Sequence, residues 1–179
     1  LLICFVVAAA VLNVVMWLMR GGNMAWQASQ PDWAIYLALI LITSPLQAAA
    51  EEFFFRGYLQ QAIGSLAGRA WVGVACSSLV FAIFHGDQNV ALFAHRLGFG
   101  LIAGTLVWAT GGLEAAIAVH VANNVFAFGY ALFTGGVATL KATSAISWEA
   151  ACSDLASFAV FGALAWWIGR RMHVATLTP

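Results

Sequence analysis

Two adjacent glutamates lie inside an apolar stretch, and an arginine follows: Glu51-Glu52-Phe53-Phe54-Phe55-Arg56. Formal charges at membrane depth are costly, about 2.5–3.5 kcal/mol each at the centre of an inserted helix. A chain that keeps such a cluster is expected to use it. Helix geometry divides the two acids. Glu52 and Arg56 are four residues apart on one face, with the acid N-terminal to the base, the favourable order for an ion pair. Glu51 points roughly 100° away, on the side of Phe55, and has no local partner. An unpaired carboxylate in an apolar setting suits a general base. The plainer alternative is a buried Glu–Arg pair that locks two helices together. The second glutamate argues against it, because one arginine does not need two.

Two further positions carry chemistry. Phe81-Ala82-Ile83-Phe84-His85 puts an aromatic ring and an imidazole on one helix face at the end of an apolar segment. A lone histidine there also reads as an interfacial or capping group. His120-Val121-Ala122-Asn123-Asn124 lies deeper, with Asn124 one turn after His120 and Asn123 at the alternative spacing. A histidine and an asparagine make neutral donors that can stabilise an oxyanion in a dry site. The bland reading is an interhelical hydrogen-bond pair, worth under about 2 kcal/mol in membranes. No H-E-x-x-H pattern occurs. Serine catalysis is poorly supported, since there is no G-x-S-x-G and Ser44, Ser77 and Ser78 lack a neighbouring base.

The elements that must position these residues are apolar. Of 179 residues, 63% are hydrophobic and 8% charged, against about 45–50% and 25% in soluble domains. The composition predicts an all-α, polytopic transmembrane helical bundle in the lipid bilayer. Zero net charge argues against a nucleic-acid partner and against a polybasic lipid-binding surface. Cys4, Cys76 and Cys152 are far apart in apolar surroundings, so buried thiols are expected, with no disulfide framework or zinc knuckle.

About six spans are predicted within a single membrane-embedded unit covering residues 1–179. They are Leu1–Met19, a segment from Trp33 to about Ile63, Ala70–His85, Val90–Ala109, Leu113–Phe133 and Ala150–Ile168. Leu1 already stands in an apolar run, so a preceding segment is expected. Between the first two spans lies a polar connection, Asn23 to Asp32. Ser44-Pro45 predicts a kink or break in the second segment, with a new helix from Leu46 carrying the glutamates. Gly100-Leu101-Ile102-Ala103-Gly104 fits a close-packing helix face. The eight tryptophans partly flank the spans, as in an interfacial belt.

E-E-x-x-x-R, F-x-x-x-H and H-x-x-x-N, in this order on successive helices, resemble the CAAX protease and bacteriocin-processing (CPBP, or Abi) family. That family includes the type 2 CAAX prenyl endopeptidases. Each motif alone is weak; three in order within a multi-span chain are specific. The resemblance implies an intramembrane endopeptidase with a cavity open to the membrane. In it Glu51 would activate the attacking water with help from His85. His120 and Asn124 would form the oxyanion site, and Glu52 and Arg56 would order it. No cofactor is favoured. A zinc version would use Glu51 or Glu52 with His85 and His120 as ligands and water in the fourth position. The substrate would be a peptide or a membrane protein, and the setting a bacterial cell membrane.

Two rival functions share these parts. A proton-coupled transporter also uses intramembrane carboxylates and histidines, but the chain has no repeated half with matching broken helices. A non-catalytic bacteriocin-immunity or membrane partner protein would retain its function without Glu51 and His120.

Overall fold

The computed structural model describes residues 2–19, 32–134 and 136–173. The connection predicted between the first two spans lies almost wholly outside them, as does the side chain of Cys4. The described residues are helical, with no strand among them. In chain order the helices are α1 (Leu2–Met19), α2 (Trp33–Glu52), a π-helical turn (Phe53–Leu59), α3 (Gln60–Ala67), α4 (Ala70–Ile83), α5 (Val90–Thr110), α6 (Glu114–Thr134), the short α7 (Val137–Lys141) and α8 (Trp148–Arg171). The continuous rod Trp33–Ala67, α5, α6 and α8 are each long and apolar enough to cross a membrane, and α1 and α4 contain shorter apolar helices. This is the all-α bundle of about six apolar segments that the composition predicts.

The predicted break at Pro45 is not there. Helix α2 runs through the proline, which removes one backbone donor and leaves the rest of the ladder intact. Membrane helices tolerate this when neighbouring helices and Ser/Thr side chains supply the missing partners. Thr43 Oγ1 donates to the Leu39 carbonyl at 2.8 Å just before the proline. The irregularity starts eight residues later, in the π-helical turn.

That turn has a packing reason. Ile40, Ser44, Ala48, Glu52, Arg56 and Gln60 are all buried, one residue in every four. On a regular α-helix a four-residue step drifts by about 40°, so such a seam would wind away from its neighbours. A π turn, bonded i to i+5, holds more residues per turn and brings the seam back. Here the Gln60 N–H reaches the Phe55 carbonyl. The same carbonyl accepts from Ser77 Oγ of α4 at 3.0 Å, which pins the turn to its neighbour.

Around this rod α2 packs on α6, α3 on α4, α4 on α5, and α5 on α8, while α1 covers α6 and α8. The apolar core contains Phe55, Phe81, Phe99, Val119, Phe158 and Phe161. The glycine face on α5 is used as its spacing predicts. A Cβ on Gly100 would come within 2.8 Å of the Ser78 Cβ, and one on Gly104 within 2.6 Å of Gln60 Oε1. Outward-facing positions stay apolar, including Ile35, Leu39, Ile42 and Leu46 on α2. Trp33, Trp71, Trp108, Trp148 and Trp166 are exposed near helix ends, where an interfacial belt places them. The cysteines do not follow expectation: Cys76 is partly buried and Cys152 exposed on α8. An apolar outer face accommodates a thiol as readily as a core does.

Candidate active site

The site is assembled in two layers. The lower layer is buried. Arg56 Nη1 donates to Glu52 Oε1 at 2.9 Å, and both side chains are fully shielded from solvent. The i to i+4 pair predicted from sequence is therefore present, although it spans the start of the π turn. A second donor joins it from α6: His120 Nδ1 lies 2.7 Å from the same oxygen. Arg56 Nε and Nη2 have no hydrogen-bond partner among the described residues. The guanidinium instead sits over aromatic faces, 4.5 Å from the Phe81 centroid and 5.6 Å from that of Phe99. Ring faces attract a cation and substitute in part for water at this depth.

Above this layer is a cavity of about 440 Å³. Glu51, His85, His120 and Asn124 all line it, brought from α2, the end of α4 and α6. Glu52 and Arg56 lie beneath it and do not line it. The Glu51 side chain is about 25% exposed, and its Oε2 stands 3.7 Å from His120 Nε2. Its other oxygen is held from the preceding turn, where Gln47 Nε2 donates to Oε1 at 3.0 Å. The spacing toward Arg56 alone predicts no local partner for Glu51, and the structure supplies one from the other direction. Gln47, four residues upstream, carries the same helix-spacing signal in the other direction.

His85 lies beyond the end of α4. Its Nδ1 contacts the Phe81 carbonyl at 2.7 Å, and a carbonyl only accepts, so Nδ1 carries the hydrogen and Nε2 keeps a lone pair. Its ring stacks edge-on against Phe81, with centroids 4.5 Å apart. Desolvation holds this imidazole below the usual histidine range, which favours the neutral form.

His120 departs from the neutral donor that sequence suggested. With Nδ1–H directed at the Glu52 carboxylate, the neutral ring offers a lone pair at Nε2. It can donate to an oxyanion from Nε2 only when doubly protonated. Asn124 keeps its donor: Asn123 Nδ2 points at Asn124 Oδ1, 3.4 Å away, which leaves the Asn124 amide hydrogens for the cavity. The serines are spent elsewhere, Ser77 on the Phe55 carbonyl and Ser78 on that of Val74.

Sequence reasoning also passed over His95 and Arg96 on α5, which line the cavity with Lys141 of α7. They stand near the start of α5 and read as end-of-helix polarity. Only the tertiary fold, with α7 packed on α6, brings all three to the lining of one cavity. No group of three His, Cys, Asp or Glu side chains among the described residues is arranged to hold a metal ion.

The type II CAAX prenyl endopeptidase Rce1-like family model matches residues 32–126, the segment that carries every motif above. A relative in Bacillus subtilis (strain 168), the uncharacterized protein YyaK, is 35% identical over 107 residues. The match covers 56% of this chain and 35% of that relative, so the chain spans about a third of its length. No solved structure matches the chain. The matched segment holds Glu51, Glu52, Arg56, His85, His120 and Asn124 and more than half of the chain, and the protein belongs to the type II CAAX prenyl endopeptidase Rce1-like family.

Proposed function

We propose that the protein is an intramembrane endopeptidase that hydrolyses a peptide bond with water activated by Glu51. The observation that carries this reading is the convergence, in one cavity among apolar helices, of a carboxylate, a neutral imidazole lone pair and an amide donor. Membership of the Rce1-like family supports the same class of reaction.

In this reading a water bonds to Glu51 Oε2 and to His85 Nε2. Glu51 takes a proton from it as the oxygen attacks the scissile carbonyl carbon. The negative charge that forms on the carbonyl oxygen is met by the Asn124 amide and by His120 when protonated. The C–N bond then breaks, and the proton held by Glu51 passes to the departing amine. Gln47 keeps one carboxylate oxygen engaged so that the other faces the water. Glu52 and Arg56 hold His120 from below.

The step is written without a metal. The donors a zinc ion would use are Glu51 Oε2 and the Nε2 atoms of His85 and His120, and the Nδ1 contact of His120 to Glu52 suits either version. Elemental analysis of the purified protein, with activity followed during chelation, tests this. Stoichiometric zinc with chelator-sensitive turnover would replace the glutamate-only step. For the peptidase reading itself, the test is substrate trapping in membranes with Glu51→Gln, followed by peptide identification. Peptides retained by the variant and cleaved by the wild type support it. Cleavage of the same peptides by Glu51→Gln would overturn it.

A further inference from the structure

We propose that the protein carries a site for one anionic phospholipid between α5 and α8, separate from the catalytic cavity. An acyl chain lies in an apolar groove there, and Arg170 holds the headgroup phosphate.

The groove has a volume of about 500 Å³. Ile102, Thr105 and Ala109 line it from α5, and Ala159, Ala163 and Trp166 line it from α8. No residue that lines it also lines the cavity of Glu51. Its origin is local. Helices α5 and α8 run parallel: His95 stands beside Asp154, a Cβ on Gly98 would meet Leu155, and one on Gly162 would meet Ile102. Along this contact α8 offers Ala159, Gly162 and Ala163, which are too small to fill the space between two helices. From Ala159 to Trp166 the groove follows the helix axis for about 10 Å.

Its depth suits a lipid. The 24 residues of α8 make a helix of about 36 Å, against about 30 Å of hydrocarbon in a bilayer. The last turn of α8 therefore stands at headgroup level, and the groove leads from there into the hydrocarbon, along the path of an acyl chain.

An apolar groove alone accepts any chain. The selectivity comes from its end. The Arg170 guanidinium lies 5.2 Å from the centroid of the Trp166 ring, the same ring that lines the groove. Stacking on the ring orients the cation without neutralising it. Arg171 is held in the same way over Trp167, also at 5.2 Å, but Trp167 does not line the groove. Among the described residues no carboxylate lies within ion-pair distance of either arginine. The anion that a bilayer offers at this depth is a phosphate, and a guanidinium fork matches its oxygens. A zwitterionic headgroup brings its own ammonium to that phosphate; an anionic one leaves it for the arginine. A second copy of this chain fits less well. In the same orientation it would bring its own arginines to the same level, like charge against like. The plainer role of both arginines is to complement the negative end of the α8 dipole. That role treats Arg170 and Arg171 alike and is indifferent to the headgroup.

The test compares phosphatidylglycerol with phosphatidylcholine of identical acyl chains. Each is added to the purified full chain in detergent, and retained lipid is counted by native mass spectrometry. Phosphatidylglycerol is expected to bind roughly fivefold tighter, the gain of one basic residue beside an anionic headgroup. Arg170→Gln should bring the two lipids to equal retention, and Arg171→Gln should keep the preference. Ala163→Phe, at an exposed position, fills the groove and should weaken both lipids. Thr105→Phe repeats this from the facing helix, should the first variant not fold. Equal retention of both lipids by wild type, equal losses in the two arginine variants, or a preference untouched by the filled groove would overturn the site. Displacement of the lipid by inorganic phosphate would make Arg170 a free-anion site. A dimer that Ala163→Phe dissociates, without lipid preference, would make the groove a contact between copies. Either result overturns the proposal. The readout is binding, so it stands apart from peptide cleavage.

Discussion

Glu51 and Glu52 are neighbours in sequence and differ in almost everything else. The Glu52 side chain is fully buried and holds two donors on one oxygen, Arg56 at 2.9 Å and His120 at 2.7 Å. Glu51, about 25% exposed, has one neutral donor from Gln47 and an open approach from the cavity. The difference shows how a helix in an apolar bundle can separate two tasks with one residue type. The buried acid takes both donors on Oε1, leaves Oε2 without a hydrogen-bond partner among the described residues, and fixes the position of an imidazole on another helix. The lined acid is left with one free oxygen facing space that a substrate and water can fill. Burial, and not chemistry of the side chain, assigns the roles.

This contrast can be broken in graded ways. The largest effect is expected at Glu51. Glu51→Gln keeps the shape and the Gln47 contact, so turnover should fall by about 10²–10⁴ while the thermal unfolding midpoint stays within a degree or two of wild type, roughly the scatter of a surface change. A variant that unfolds early, or one that cleaves at the wild-type rate, would erase the division between the two acids.

Arg56 should behave in the opposite manner. Arg56→Ala leaves Glu52 buried with only His120, and removing one member of a buried ion pair costs about 3–5 kcal/mol. Reversible unfolding in mixed detergent measures this. A stability within about 1 kcal/mol of wild type would mean that the lower layer is not held by this pair.

Asn124→Ala tests the upper layer alone. Loss of one oxyanion donor lowers turnover by roughly 10²–10³ with little change in stability. Unchanged kcat on a defined peptide would remove Asn124 from the step.

The smallest effect is expected at Gln47. Gln47→Ala removes one exposed hydrogen bond to the Glu51 carboxylate, worth about 1 kcal/mol, and should lower kcat about fivefold with KM nearly constant. Gln47→Asn is too short to reach and should resemble the alanine variant. A change confined to KM would assign Gln47 to substrate contact and not to the orientation of Glu51.

Much of the architecture was legible because apolar runs of helix length leave few alternatives. Residues 70–83, 90–110 and 114–134 fall as helices within a few positions of where their apolar runs predict. The Glu52–Arg56 pair was legible because it is local, and the glycines of α5 because close packing leaves a spacing signature. The π turn was not. Proline at position 45 carries a strong local signal, whereas the underwinding at Phe53–Leu59 answers to a buried seam that extends from Ile40 to Gln60 and to Ser77 on another helix. The hydrogen-bond state of His120 was missed for the same reason, since its determinant, Glu52, is 68 residues away.

The sequence by itself determined that the chain is a helical membrane bundle, which family it resembles, and which few polar residues are too costly to be idle. These are properties of composition and of spacing within one helix. Tertiary structure alone decided which glutamate is sealed and which faces a cavity, which nitrogen of His120 is occupied, and that Arg96 and Lys141 line the same cavity as Glu51. Each depends on contacts between helices far apart in the chain. In a bundle where nearly every surface is apolar, hydrophobicity says that helices pack but not which faces meet.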